Sequence, residues 1–192
     1  LILASKSQIR YMMLKNVGLK FQRIFSEFDE SSIKKRKNRI SYYSLALRLA
    51  SEKAKKISYK YPDSYVIGAD QICIFEKEII SKPKTKEKAI EQLKKMQGKE
   101  HLQVSAFSIY HNRALIGKGY DQTVLKMRKL SMENIKKYID KDRPLKSCGS
   151  YKYEENGYLL FSNVQGNYDN IKGLPLIMLL DMLFKKKVIS YE

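Results

Sequence analysis

Apolar and polar positions change period along this chain, and the changes mark out its elements. Leu1–Ala4 is a short apolar run, read as a buried strand, and the hydroxyls of Ser5-Lys6-Ser7 can cap the helix after it. Gln8 to Asn16 has apolar residues at Ile9, Met12, Met13 and Leu14 and predicts a helix stopped by Gly18. Leu19–Phe25 reads as a second strand, and Glu27 to Ser32 as an acidic, hydroxyl-rich loop. Ser41 to Ser58 is a strongly periodic helix, with Leu45, Leu47, Leu49, Ala50, Ala54 and Ile57 on its apolar side. Pro62-Asp63 turns into a strand at Tyr65–Ala69, and Ile72–Phe75 with Glu78–Ile80 form a hairpin bent at Glu76-Lys77.

The second half continues the alternation. Thr85 to Met96 is a helix with Thr85 as its cap and Gly98 as its stop. Leu102–Tyr110 and Ala114–Leu125 are strands joined at His111-Asn112-Arg113. Ser131 opens a helix running to about Ile139, ended before Pro144. Cys148 to Tyr153 reads as a glycine-containing loop or strand, Tyr158–Val164 as a strand and Gly166 to Gly173 as a polar loop. An apolar helix from Leu174-Pro175 through Phe184 closes on three lysines. Strands alternating with helices predict an α/β protein, with no internal repeat and no linker composition.

Composition narrows the class. The 192 residues suit one domain with a real core, and no apolar run reaches the roughly 18 residues that a membrane span needs. The opening apolar stretch is too short for a signal-peptide core, so cytoplasm is the expected location. Cys73 and Cys148 are too few for a disulfide framework and form no CxxC pair, so both are read as reduced. The net charge of +18 suggests polyanionic partners, nucleic acid or nucleotide phosphates. The lysines are spread along the whole chain rather than gathered in one tail, and a generally lysine-coated surface is the favoured reading.

Val66 to Asp70 is the most informative stretch: an apolar run ends in glycine, alanine and a carboxylate. In an α/β protein this is how a strand brings an acid to the sheet edge where ligands bind, and Asp70 there can hold a divalent metal or activate a water. Gln71 can read a base edge through its amide, and Lys82, fixed in direction by Pro83, can meet a phosphate. Ser5 and Arg10 flank a strand-to-helix turn suited to an anion, although by themselves an ordinary cap followed by a surface arginine is the favoured reading. Asp29 and Glu30 could ligate a metal or orient a water, against the commoner solvated acidic loop. Lys53 could reach a triphosphate, against a snorkelling lysine. Glu154 could accept from the N–H groups of a base, against a plain loop carboxylate. His101 and His111 lack metal-ligand spacing, and no Ser-His-Asp order or P-loop is present.

Taken together, these segments resemble the Maf (septum-formation-like) nucleotide pyrophosphatases. Leu1 to Arg10 is similar to that family's opening LILASxSPxR, Phe28-Asp29-Glu30 to its xDE loop, and Glu52-Lys53-Ala54 to its EKA helix. Ile67 to Gln71 resembles its IG(A/S)D strand, Ser81-Lys82-Pro83 its GKP, and Gly166 to Pro175 its GDxxNVxGLP segment. The matches are collinear and run nearly end to end. The resemblance implies a single domain over residues 1–192 with two lobes, an elongated mixed sheet flanked by helices, and a deep central cleft, related to the inosine-triphosphate pyrophosphatases. It implies hydrolysis of a nucleoside triphosphate to the monophosphate and pyrophosphate, a divalent metal cation (Mg or Mn), and a homodimer. By the same resemblance Asp70 and Glu30 are catalytic and hold the metal, while Ser5, Arg10, Lys53 and Lys82 hold phosphates.

Within the family, Asp70-Gln71-Ile72-Cys73 and Cys148 to Glu154 resemble the GSDQVCV and CAGSFKSEG segments of the 7-methyl-GTP-preferring subfamily. That makes Gln71, Glu154 and Ile9 the specificity positions. Ile9 stands where that subfamily has Trp, Gln8 where it has Pro, and Asn167 where it has an acid. The alternatives are a dTTP/UTP pyrophosphatase of the same family and, from a different class, a basic nucleic-acid-binding module.

Overall fold

The structure, a computed structural model, describes residues 1–25 and 40–190. Its helices are α1 (Gln8–Asn16), α2 (Tyr42–Ser58), α3 (Lys86–Met96), α4 (Met132–Asp142), α5 (Tyr168–Ile171) and α6 (Leu176–Lys185). Its strands are β1 (Ile2–Leu3), β2 (Gln22–Arg23), β3 (Val66–Phe75), β4 (Glu78–Ile80), β5 (Glu100–His111), β6 (Ala114–Met127) and β7 (Phe161–Gln165). Ser7, Ser41, Thr85 and Ser131 cap α1, α2, α3 and α4, each hydroxyl accepting from the backbone N–H three residues on. Each such cap contributes about 1 kcal/mol, and together they explain why those four boundaries are readable in the sequence.

The sheet runs β2-β1-β3-β5-β6-β7, with β4 paired to β3. β1 is parallel to both β2 and β3, while β3–β4 and β6–β7 are antiparallel, so the sheet is mixed as expected. β3 differs from expectation. Its strand does not end at Ala69 but runs unbroken through Asp70 and Gln71 to Phe75. The polar pair interrupts the hydropathy but not the ladder, so Asp70 lies inside a strand and not at its carboxyl end. Gly166 to Gly173, expected to be a loop, contains α5, and the strand expected from Tyr158 begins only at Phe161, after a 3-10 turn over Gly157–Leu160.

The chain forms two compact units. One comprises Leu1–Asp70, Ser105–Asp121 and Gly173–Glu192, the other Gln71–Val104 and Gln122–Lys172. In the first unit, Leu3, Ile67, Phe107 and Ile109 of the strands are buried with Leu179 and Leu183 of α6. On another face Val66 is buried with Ala54 and Ile57 of α2. In the second unit, Leu93 and Met96 of α3 and Ile135 and Ile139 of α4 are buried with Leu125, Met127 and Phe161. No helix among the described residues is long and apolar enough to cross a membrane.

Candidate functional site

In the first unit the structure brings together Ser5, Arg10, Lys53 and Asp70. Asp70 is only 7% exposed, and its Oδ1 takes an ion pair from Lys53 Nζ. Lys53 rises from α2, which lies against β3 because of Gly68: a Cβ at that position would stand 2.1 Å from Ala50 O and 2.7 Å from Ala54 N. Only glycine admits so close a helix, and that closeness lets a lysine one turn along α2 reach a carboxylate two residues along β3. In the sequence Gly68 is one letter of a motif; its role in seating α2 is visible only in three dimensions.

Arg10 is 8% exposed. Its Nε donates to Gly173 O at 2.7 Å, and its Nη1 donates to Ala69 O at 3.0 Å and to Ser5 Oγ at 3.4 Å. The guanidinium thus ties the turn after β1 to the carbonyl preceding Asp70. Ser5 Oγ also accepts from Ser7 N at 3.2 Å. Arg23, which no sequence pattern marks, braces the same turn. Its Nε donates to Ser5 O at 3.0 Å, its Nη1 to Gln8 Oε1 at 2.8 Å, and its Nη2 to Lys6 O. Its guanidinium lies over Tyr11 and Phe25 at 5.4 and 5.3 Å. Gln8 therefore gives this turn a side-chain tether at a position where a proline would have stiffened it. Ile9, a specificity position by resemblance, is half-buried and packs against the Leu3–Phe107 core.

In the second unit Gln71 is turned onto α5. Its Nε2 donates to Asn170 O at 3.2 Å and to Ile171 O at 2.7 Å. With the amide nitrogen committed to the backbone, the polar group that Gln71 keeps is its carbonyl oxygen, an acceptor. Asn170, fully buried, holds the same helix, donating to Gln103 O at 3.0 Å and Thr123 Oγ1 at 3.1 Å. Gly166 enters this segment at φ +127, where a Cβ would meet Thr123 Oγ1 at 2.7 Å. Glu154 lies on an exposed surface, yet desolvation by its surroundings raises its carboxyl above the ordinary range, partly offset by its own backbone hydrogen bond and by Lys152 and Lys172.

Lys82 is exposed and is joined to the Gly149-Ser150-Tyr151 loop through a residue that sequence reasoning missed. Gln92 of α3 donates to Ser81 O at 3.0 Å and accepts from Ser150 Oγ. Its signal was a polar side chain at a core position of an amphipathic helix, between Ala89 and Leu93. Near that loop, His101 Nε2 meets Tyr151 Oη at 2.9 Å, and Gln103 Nε2 donates to the same oxygen at 2.7 Å. Burial lowers the His101 pKa to about 4, so the ring is neutral at pH 7.

Asp29 and Glu30 lie outside the described residues. Among the described residues no group of three or more His, Cys, Asp or Glu is placed to cage a metal. At the site itself they provide one carboxylate, Asp70, the other buried carboxylate, Asp142, being taken up by Asn156, whose N and Nδ2 donate to it at 3.0 and 2.6 Å. That suits a magnesium-type cation, which takes one or two protein carboxylates and completes its shell with phosphate and water oxygens.

Comparison with known proteins agrees along the chain's length. A sequence profile of Maf-like proteins matches residues 1–186. A nucleoside triphosphate pyrophosphatase of Legionella pneumophila is 36% identical over 190 residues, spanning 99% of this chain and 95% of the relative. One from Ruegeria pomeroyi is 38% identical over 194 residues, spanning 99% and 98%. The solved structure of the Staphylococcus aureus Ham1 protein shares the fold at a TM-score of 0.50 and 16% identity, over 97% of this chain and 98% of that one.

Proposed function

The chain belongs to the Maf-like family and is a nucleoside triphosphate pyrophosphatase, and on that premise we propose that its preferred substrate carries a modified guanine, 7-methyl-GTP foremost. Water attacks the α-phosphorus, the bond to the β-phosphate bridging oxygen breaks, and the products are the monophosphate and pyrophosphate. Asp70 accepts the proton of the attacking water, with Glu30 as its partner acid. Lys53, held on the Asp70 carboxylate, spreads positive charge where phosphate charge develops. Ser5 and Arg10 present the turn after β1 to the triphosphate, and Lys82 adds a further cation. Asp70 and Glu30 would hold magnesium or manganese, which when bound neutralises charge on the phosphates. A homodimer in the cytoplasm, clearing noncanonical nucleotides, is the setting the family resemblance supports.

The guanine reading rests on one observation: Gln71 spends its N–H₂ on Asn170 O and Ile171 O. The acceptor that remains, with the Glu154 carboxylate, complements the N1–H and N2–H₂ donors of guanine. Uracil and thymine present N3–H as their one donor on that edge and two carbonyls that would meet these acceptors. The test is pyrophosphate release with magnesium or manganese over 7-methyl-GTP, GTP, UTP, dTTP, ITP and ATP. Preference for 7-methyl-GTP is the expected outcome. Preference for UTP or dTTP would reassign the specificity. Silence on all six, with wild type equal to Asp70→Asn, would overturn the catalytic reading in favour of polyanion binding.

A further inference from the structure

We propose that Tyr168, backed by Tyr153, is the stacking face for the cationic methylated base. This rests on the guanine reading above. Tyr168 is 58% exposed, although it opens α5, a helix fixed by the buried amide of Asn170 and the half-buried amide of Gln71. Asn167 Oδ1 caps that helix by accepting from Asp169 N at 2.9 Å, Gln71 donates to two of its carbonyls, and its own Asn170 donates to Gln103 O and Thr123 Oγ1. An exposed aromatic on so firmly held a segment is pre-ordered, so a ligand that covers it meets a small entropy cost.

The ring has a second layer behind it. Tyr153 lies nearly parallel to Tyr168, with centroids 5.9 Å apart and an interplanar angle of 18°, and Tyr153 in turn leans on the buried Phe161 at 6.0 Å. Tyr153 directly precedes Glu154 in the chain, and α5 carries the carbonyls that orient Gln71. The aromatic pair is thus linked to both groups that would read the edge of a guanine, Tyr153 through the chain to Glu154 and Tyr168 through the helix on which Gln71 rests.

Methylation at N7 places a positive charge on the purine, delocalised over its five-membered ring. A cation of that kind is attracted to the negative face of an aromatic ring, whereas neutral guanine gains stacking without the charge component. Tyr168 therefore contributes discrimination between 7-methyl-GTP and GTP more than it contributes binding of either. Asp169 and Lys172, paired at 2.7 Å on the same turn, compensate each other locally, so the pair does not oppose the approach of a cationic base.

The chain contains no Trp, so Tyr168→Trp introduces a single reporter, and Tyr59→Trp, at another exposed tyrosine, supplies a control. Titration with the product 7-methyl-GMP should quench the fluorescence of Tyr168→Trp and leave that of Tyr59→Trp unchanged. In steady state Tyr168→Ala should lower the 7-methyl-GTP to GTP ratio of kcat/KM about tenfold, chiefly through KM, with Tyr168→Phe near wild type. A merely structural role would lower kcat/KM for both nucleotides alike and leave the ratio intact, and that result overturns the proposal. So does a Tyr168→Trp variant that turns over 7-methyl-GTP yet shows no quenching with 7-methyl-GMP. If wild type handles no guanine nucleotide, the guanine reading itself has failed, and this inference falls with it.

Discussion

The two units assemble polar side chains on opposite principles. In the first, charges dominate: Asp70 with Lys53, and a buried arginine distributed over Ala69 O, Gly173 O and Ser5 Oγ. In the second, neutral amides and hydroxyls do the holding: Gln71 on α5, Asn170 on Gln103 O, Gln92 between Ser81 and Ser150, and Gln103 on Tyr151. Charges bind charge and lower barriers but read little shape. Fixed amides orient loops and present donors and acceptors in register, which is what discrimination between bases requires. On the proposed function, the contrast would set triphosphate chemistry against choice of the base.

The largest effects should follow that division. Asp70→Asn is expected to lower kcat by about a thousandfold on every nucleotide in equal proportion, because on the proposed mechanism it removes a proton acceptor and not a selector. Glu154→Gln should leave kcat for the best remaining substrate within a few-fold and shift the guanine-to-pyrimidine ratio of kcat/KM by about tenfold. Steady-state kinetics on both variants across the nucleotide panel decides the matter. A shift of selectivity in Asp70→Asn, or a uniform collapse in Glu154→Gln, would erase the distinction.

The second unit's neutral network should also show itself in pH dependence. His101 is 3% exposed and neutral, with its pKa lowered to about 4 by burial. The unfolded chain binds a proton at this ring near pH 6.5, and the folded chain does not until near 4. The contribution is therefore whole above about pH 6.5 and is lost as pH falls toward 4, up to about 3 kcal/mol. Denaturant unfolding of wild type and His101→Gln at pH 7 and pH 4.5 should give curves that converge at the lower pH. Parallel loss in both proteins would mean that the ring titrates elsewhere than burial implies.

In the first unit the corresponding weak point is steric. Gly68→Ala drives a methyl group into Ala50 O and Ala54 N, and α2 must lift. A cost of about 3 kcal/mol is expected, together with a loss of activity beyond the loss of fold, because Lys53 rides on the same helix. A double variant with Lys53→Met tests this. If Gly68→Ala acts by displacing Lys53, the two activity losses should be less than additive.

Most elements are legible in the sequence because hydroxyl caps, glycine stops and helical periodicity are local signals. They place α1 to the residue, and α2 and α3 to within their caps. Hydropathy singles out Asp70 but in the wrong setting, since it cannot distinguish a strand's end from a polar interruption within it. Arg23, Gln92 and Asn170 escape notice as site-organising residues because their side chains' hydrogen-bond partners lie 15 or more, 11 or more and 47 or more positions away. Gln71 stands out, but the use of its amide cannot be known without α5, which the sequence shows only as a polar loop.

The smallest expected effect compares one turn from each unit. Both hairpins place two non-glycine residues at positive φ: Glu76 and Lys77 at 49 and 65 in the second unit, Asn112 and Arg113 at 49 and 64 in the first. Such two-residue loops require the left-handed region at both positions, which Asn and Gly tolerate and long side chains resist. Lys77→Gly should therefore stabilise the fold by about 1 kcal/mol. Arg113→Gly relieves the same backbone but forfeits the guanidinium stacked 5.8 Å from the Tyr59 ring, an exposed contact worth about 0.5 kcal/mol. Its net gain should be roughly half as large by that subtraction. Equilibrium unfolding of the two variants in urea resolves the difference, and an equal gain would show that the Arg113–Tyr59 contact contributes nothing in solution.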